Sequence, residues 1–220
     1  MNMHSVLLYG CAAIVVTVGI RLLVTLALED CEEAPAPLAL LRAWRRPVPR
    51  AAAALVGIMA ALGVAQLAVP AMIDALERHP GGAWWRAVTA LTVQSSGWLQ
   101  LLFNLVSLAV VAPITERRFG SWRMLLVFAT SGVTAQAVSM AGWSRQGGGD
   151  SVAICGLVGA LATWYAVRGS AVAVRRVACL IPAAGLVLCL LSNNHGVGLL
   201  VGSLLGVGLA ATFARSALAA

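Results

Sequence analysis

Lysine is absent from this chain of 220 residues, and all fifteen basic residues are arginines. Charged residues of any kind make up only 10% of the sequence, against 60% hydrophobic ones, and the mean hydropathy is +0.91. A soluble domain of this length cannot cover itself with so little charge, so the composition excludes the soluble classes and implies a polytopic membrane protein. The net charge of +7 forms no basic stripe. The arginines sit beside apolar runs, which is the mark of membrane topology, so the expected partner is the lipid bilayer and not nucleic acid. A disulfide framework is missing too: five cysteines are an odd number, and Cys11, Cys155, Cys179 and Cys189 fall within apolar runs. Nothing calls for a cofactor or a metal. The first residues carry no basic cluster, and the apolar run behind them is too long for a secretory signal, so it is expected to be a retained span.

What the sequence does contain is seven apolar runs, at residues 5–28, 51–73, 98–114, 122–143, 152–167, 177–192 and 195–214. As helices rising about 1.5 Å per residue, these cross or nearly cross a hydrocarbon layer roughly 30 Å thick. The expected fold is an all-α polytopic membrane protein. Residues 1–28 hold the first transmembrane helix, 29–50 a cytoplasmic linker mixing acids, prolines and arginines, and 51–220 a six-span membrane domain. With the loops placed on alternate sides, eleven arginines fall on one side and three (Arg78, Arg86 and Arg145) on the other. The positive-inside rule then puts the N-terminus outside and the C-terminus in the cytoplasm. Arg21 lies two turns from the cytoplasmic end of its span and can snorkel there. Abundant alanine without lysine fits a GC-rich bacterial genome, so a bacterial plasma membrane is the expected home.

One span is short. Residues 152–167 number sixteen, about 24 Å of helix. With Arg168 at one headgroup boundary the other end stops below the opposite one, and the polar run at 144–150 must dip into the membrane against protein and water. Topology then sorts the polar side chains. Gln100 and Asn104, four apart on one helical face, lie in the outer half of the third span; Cys155 lies in the outer half of the fifth, and His195 opens the seventh. Each has a plain reading alone, as helix glue or apolar filler, but four such groups from three spans converge on one side, which points to a site. Gly198, Gly202 and Gly206 recur every four residues, as do Gly156 and Ala160. Such small faces let two helices cross closely, and here they would bring Cys155 beside His195. Depth counted up from Arg215 disagrees, leaving His195 about 10 Å shallower than Cys155.

Taken together, Trp85 and Arg86, residues 97–104 (GWLQLLFN), 116–121 (ERRFGS), 153–156 (AICG), and His195 followed by Gly198 and Gly202 resemble the rhomboid intramembrane proteases over spans two to seven. The resemblance implies a rhomboid-like six-helix core with one extra N-terminal transmembrane helix. It implies an endopeptidase that cuts transmembrane segments of other membrane proteins near the outer face. In that family a serine in a GxSG motif on the short helix attacks the peptide, a histidine on the last core helix is its base, and an aromatic four residues after the serine stacks on that base. An HxxxN pair helps to hold the oxyanion. Carried over by position, Cys155 takes the serine's place, His195 the base's, and Gln100 and Asn104 those of the pair. This placement puts Ala153 at the motif's first glycine and Gly159 at the aromatic. A Cys–His dyad would work through a thioester. With the serine lost, the alternative is a rhomboid pseudoprotease that binds transmembrane segments and regulates client membrane proteins without cutting them.

Overall fold

The computed structural model describes residues 2–29, 36–45, 47–143 and 146–218, with side chains described up to residue 212. Arg46, Arg145, the acidic part of the expected linker and the Arg215 side chain therefore lie outside the described residues. Among the described residues, seven helical segments are long and apolar enough to cross a membrane, and no β-strand is longer than a single bridge. In chain order the helices are α1 (Met3–Glu29), α2 (Ala36–Arg42), α3 (Arg50–Ala68), α4 (Ala71–Leu76), α5 (Arg86–Thr89), α6 (Trp98–Phe119) and α7 (Ser121–Val138), which runs on through a π-helical turn (Ser139–Trp143). Then come α8 (Ser151–Arg168), α9 (Val172–Ala178) and α10 (Leu180–Leu190), the last two forming one broken span, and α11 (Asn194–Leu218).

Prolines explain two departures from the expected boundaries. The second span ends at Ala68 and not at residue 73, because Pro70 disfavours helical geometry at Val69, whose φ is −131° and ψ 81°. The third span runs past residue 114 to Phe119 although Pro113 lies inside it. Proline has no N–H to give the carbonyl of Ala109 one turn earlier, and Trp44 Nε1 donates to that oxygen instead, at 2.9 Å. The last span likewise outruns residue 214, reaching Leu218.

The arginine-rich end is knitted by the 116–121 stretch. Buried Glu116 accepts the N–H groups of Ala51 and Ala52 at 3.2 and 2.6 Å, placing a carboxylate at the start of α3 where the helix dipole favours it. Ser121 Oγ donates to the same carboxylate at 2.6 Å. Arg117 donates to the carbonyls of Ala43 and Arg45, at 2.8 and 2.6 Å.

At the centre stands α8, packed on α6, α7 and α11. Its contact with α11 is backbone to backbone. A Cβ added at Gly198 would overlap Val152 O, one at Gly202 would overlap Gly156 O, and one at Gly206 would overlap Ala160 O. On its other side Gly156 packs against the Ser131 side chain of α7, which a Cβ there would overlap. The start of α11 is thereby held at the start of α8, and that register decides what His195 touches.

Candidate active site

Residues 147–150 lead into α8 without regular structure, so their polar atoms must be satisfied individually. Gly147 and Arg78 exchange backbone hydrogen bonds, at 3.0 and 3.2 Å, and Gly149 donates its N–H to Ala90 O at 2.8 Å. Gln100 Nε2 donates to Gly148 O at 3.1 Å and Gln136 Nε2 to Gly149 O at 2.9 Å. Arg78 Nη1 in turn donates to Gln136 Oε1. Gly149 has a φ of +154° and a Cβ there would overlap Gln100 Nε2, so only glycine fits. The polar run thus has protein groups to receive it at depth.

Asp150 turns inward and is 1% exposed. Its Oδ1 accepts from Gln94 Nε2 at 2.7 Å and from Asn104 Nδ2 at 2.9 Å, and Asn104 gives its other N–H to Gln94 Oε1 at 2.8 Å. Oδ2 is buried with no partner among the described residues. A buried charge with an unpaired oxygen is costly. Asp150→Ala takes the acceptor away from both the Gln94 and the Asn104 amides, so it is expected to lower stability by about 1–3 kcal/mol. The midpoint of thermal unfolding checks this, and an unchanged midpoint would mean that the two amides find other acceptors.

Ser151 is the first residue of α8 and His195 the second of α11. Ser151 Oγ lies 3.0 Å from His195 Nε2. On the other side of the ring, Nδ1 lies 2.9 Å from Asn193 Oδ1, and the same oxygen accepts the His195 backbone N–H at 3.0 Å. A backbone N–H only donates, so that Asn193 atom is the carbonyl oxygen, and Nδ1 must carry the ring proton. Nε2 is then a bare lone pair, and the Ser151 hydroxyl donates to it. Asn193 both caps α11 and selects the tautomer that a general base needs. Asn193→Ala is expected to cut the turnover of a proteolytic reaction roughly 10- to 100-fold, within the range that general-base catalysis contributes. Asn193→Asp, which keeps the acceptor, should restore most of it; a change in thermal stability with an unaltered pH–rate profile would reduce Asn193 to a cap.

Cys155, expected to be the nucleophile, lies one turn further along α8, facing the same cavity as His195. Among the described residues it makes no hydrogen bond to the imidazole, whose partner is Ser151. The physical reason is depth. Four helical residues span about 6 Å, and the α8–α11 contact sets His195 level with the start of α8, which removes most of the depth mismatch counted from Arg215. Shifted by one turn, Gly149, Asp150 and Ser151 fill the first three places of the expected GxSG motif, with Val152 in the last glycine's place. On that register Cys155 stands four residues after the serine, at the aromatic's place, and Ala153 and Gly159 fall outside the motif positions. The sequence signal for this register is Gly149 two residues before Ser151; the signal for the other is Gly156 directly after Cys155.

The two amides of α6 are placed differently. Both N–H bonds of Asn104 Nδ2 are spent on Gln94 and Asp150, so Asn104 braces the residue before Ser151. Gln100 accepts the Ser96 N–H at 2.7 Å and spends one N–H on Gly148 O, which leaves one to donate. The Ser151 N–H belongs to the open first turn of α8, which has no intrahelical acceptor. Gly156, Ala160, Gly198 and Gly202 lie at the α8–α11 crossing.

Two cavities meet at Ser151 and His195. One, about 570 Å3, is lined by polar groups that include Glu77, Arg78, Gln136 and Gln146. The other, about 640 Å3, is lined chiefly by apolar residues of α1, α6 and α8. Ser96, Gln100, Ser151 and His195 line both.

A sequence model of the rhomboid domain matches residues 81–216, more than half of the chain and the stretch that contains Gln100, Asn104, Ser151 and His195. The chain belongs to the rhomboid family. Among its relatives is YdcA of Bacillus subtilis strain 168, named for the rhomboid proteases, which is 44% identical over 52 residues, 24% of this chain and 26% of that protein. Another is the rhomboid protease GluP of the same strain, 36% identical over 80 residues, 36% of this chain and 16% of that one. The chain therefore spans about a quarter or less of the length of these relatives. No solved structure matches. Within this rhomboid-family membrane protein, α1 and α3 precede the matched residues.

Proposed function

We propose that the chain is an intramembrane serine endopeptidase that cuts transmembrane segments of other membrane proteins through a Ser151–His195 dyad. The observation that carries this reading is the 3.0 Å contact between Ser151 Oγ and the unprotonated Nε2 of His195, in a tautomer held by Asn193. Ser151 Oγ attacks the scissile carbonyl as its proton passes to Nε2. The oxyanion accepts the Ser151 backbone N–H and the remaining N–H of Gln100. Collapse breaks the C–N bond, and the imidazolium returns its proton to the leaving amine. Water from the polar cavity, deprotonated by His195, then attacks the acyl ester and frees Ser151. The Cys155–His195 dyad is the weaker assignment, since among the described residues no hydrogen bond joins the pair and the imidazole is bonded to Ser151. With the N-terminus outside, as the arginine asymmetry favours, the dyad opens toward the outer face of a bacterial plasma membrane.

The non-cutting alternative rested on the loss of the serine, the motif glycine and the stacking aromatic; Ser151 answers the first of these, while Val152 and Cys155 still stand where the glycine and the aromatic would be. The full chain in proteoliposomes, given a model substrate with a single transmembrane helix, is expected to cut it and to bind a fluorophosphonate at Ser151. Both activities should vanish in His195→Ala. A substrate bound by the wild type but left whole would overturn the reading in favour of the pseudoprotease.

A further inference from the structure

Helix α1 lies before the rhomboid match, and its two halves pack differently. Toward the arginine-rich end it is fastened. Leu22, Leu23, Leu26 and Ala27 are buried, and Glu29 accepts from Tyr165 OH at 2.8 Å and Ser170 Oγ at 2.7 Å, while pairing with Arg118 Nη2 at 3.4 Å. Ahead of Leu22 the helix is less covered, although Cys11 and Gly19 are buried: Val16 is 47% and Ile20 53% exposed. Helix α1 touches α9 and α10 on one side and α6 and α8 on the other, so it stands between α6 and α10.

Its middle stretch, from Val15 to Leu23, lines a cavity between it and α6. Val16, Gly19 and Ile20 face Phe103 and Val110 of α6 across the 640 Å3 cavity, which ends at Ser151 and His195. Phe103 and its neighbour Val106 are 63% and 57% exposed. The lining is apolar along α1, and most of its amide and hydroxyl groups, Ser96, Gln100 and Asn104, lie toward the Ser151 end, with Ser107 one turn further along α6. An apolar helix fits the first part. The second suits a stretch that has unwound for cutting, because exposed backbone in an apolar medium needs hydrogen-bonding partners.

The geometry points to α1 as a wall of the substrate site: the transmembrane segment to be cut docks between the middle of α1, Val15 to Leu23, and α6, with its scissile stretch at Ser151. This rests on the endopeptidase reading for its occupant, and its test separates the two. In the full chain carrying Ser151→Ala, a photoreactive benzoylphenylalanine is placed at Val16, at Phe103 or, on the opposite face of α1, at Ile14. A single-span substrate in the same proteoliposomes should crosslink at Val16 and Phe103 at least tenfold more than at Ile14. Crosslinking at Phe103 alone, or equally at Ile14, would overturn the proposal. Because this variant cannot cut, the pattern stands even if the wild type proves inactive, a result that would sink the endopeptidase reading alone. As a second measurement, Gly19→Phe should obstruct the cavity, since even a Cβ at Gly19 lies 3.6 Å from Val158 Cγ1. Cleavage should fall at least tenfold, while Ile14→Phe cleaves at the wild-type rate; full activity in Gly19→Phe would also overturn the proposal.

Discussion

Ser151→Ala is expected to lower cleavage of a transmembrane substrate by roughly 10⁴-fold or more, the scale on which removing a nucleophile acts in serine hydrolases. Cys155→Ala should stay within a few-fold of wild type. The contrast is sharp because the two side chains sit one turn apart on α8 and face one cavity, yet only the hydroxyl is hydrogen-bonded to the imidazole. Without Ser151 the base has no nucleophile to activate, and the Gln100 amide has no tetrahedral oxygen to hold. Cys155 has a different use open to it, filling the space beside His195 where the family places an aromatic. Initial rates of the two variants in the same proteoliposomes decide the matter: cleavage that survives Ser151→Ala and disappears in Cys155→Ala would restore the thiol as nucleophile.

A single methyl group at Gly202 is expected to cost about 3 kcal/mol, at the upper end of the usual penalty for overpacking. The added Cβ would overlap Gly156 O. A backbone carbonyl in the middle of α8 cannot swing aside as a side chain can, so the helices must separate. Separation also withdraws His195 from Ser151, so activity should fall with stability. Gly208→Ala, six residues further along α11, is the matched control: a Cβ there meets nothing within 4 Å, and its effect should stay within about 0.5 kcal/mol. Denaturant unfolding in detergent, followed by tryptophan fluorescence, compares the pair. Equal stability of the two variants would mean that the crossing is looser than the glycine contacts require.

Membrane character, seven spans and rhomboid kinship were legible in the residues alone, because partition into hydrocarbon is decided by local composition and because family motifs are local strings. The glycine spacing on α11 was legible for the same reason. Boundaries near Pro70 and Pro113 were not, since a proline ends a helix or is tolerated according to what else meets the freed carbonyl. For Ala109 that group is Trp44 Nε1, sixty-five residues away in the chain. The roles of Asn104 and Asn193 were hidden likewise: an amide's function depends on which of its hydrogen bonds are already taken. Ser151 and Cys155 share a helical face, so periodicity could not choose between them. The sequence by itself determined that an imidazole would meet the short helix near one end; only the tertiary structure decided which turn it meets, because glycine contacts between two backbones set the register of α11 along α8.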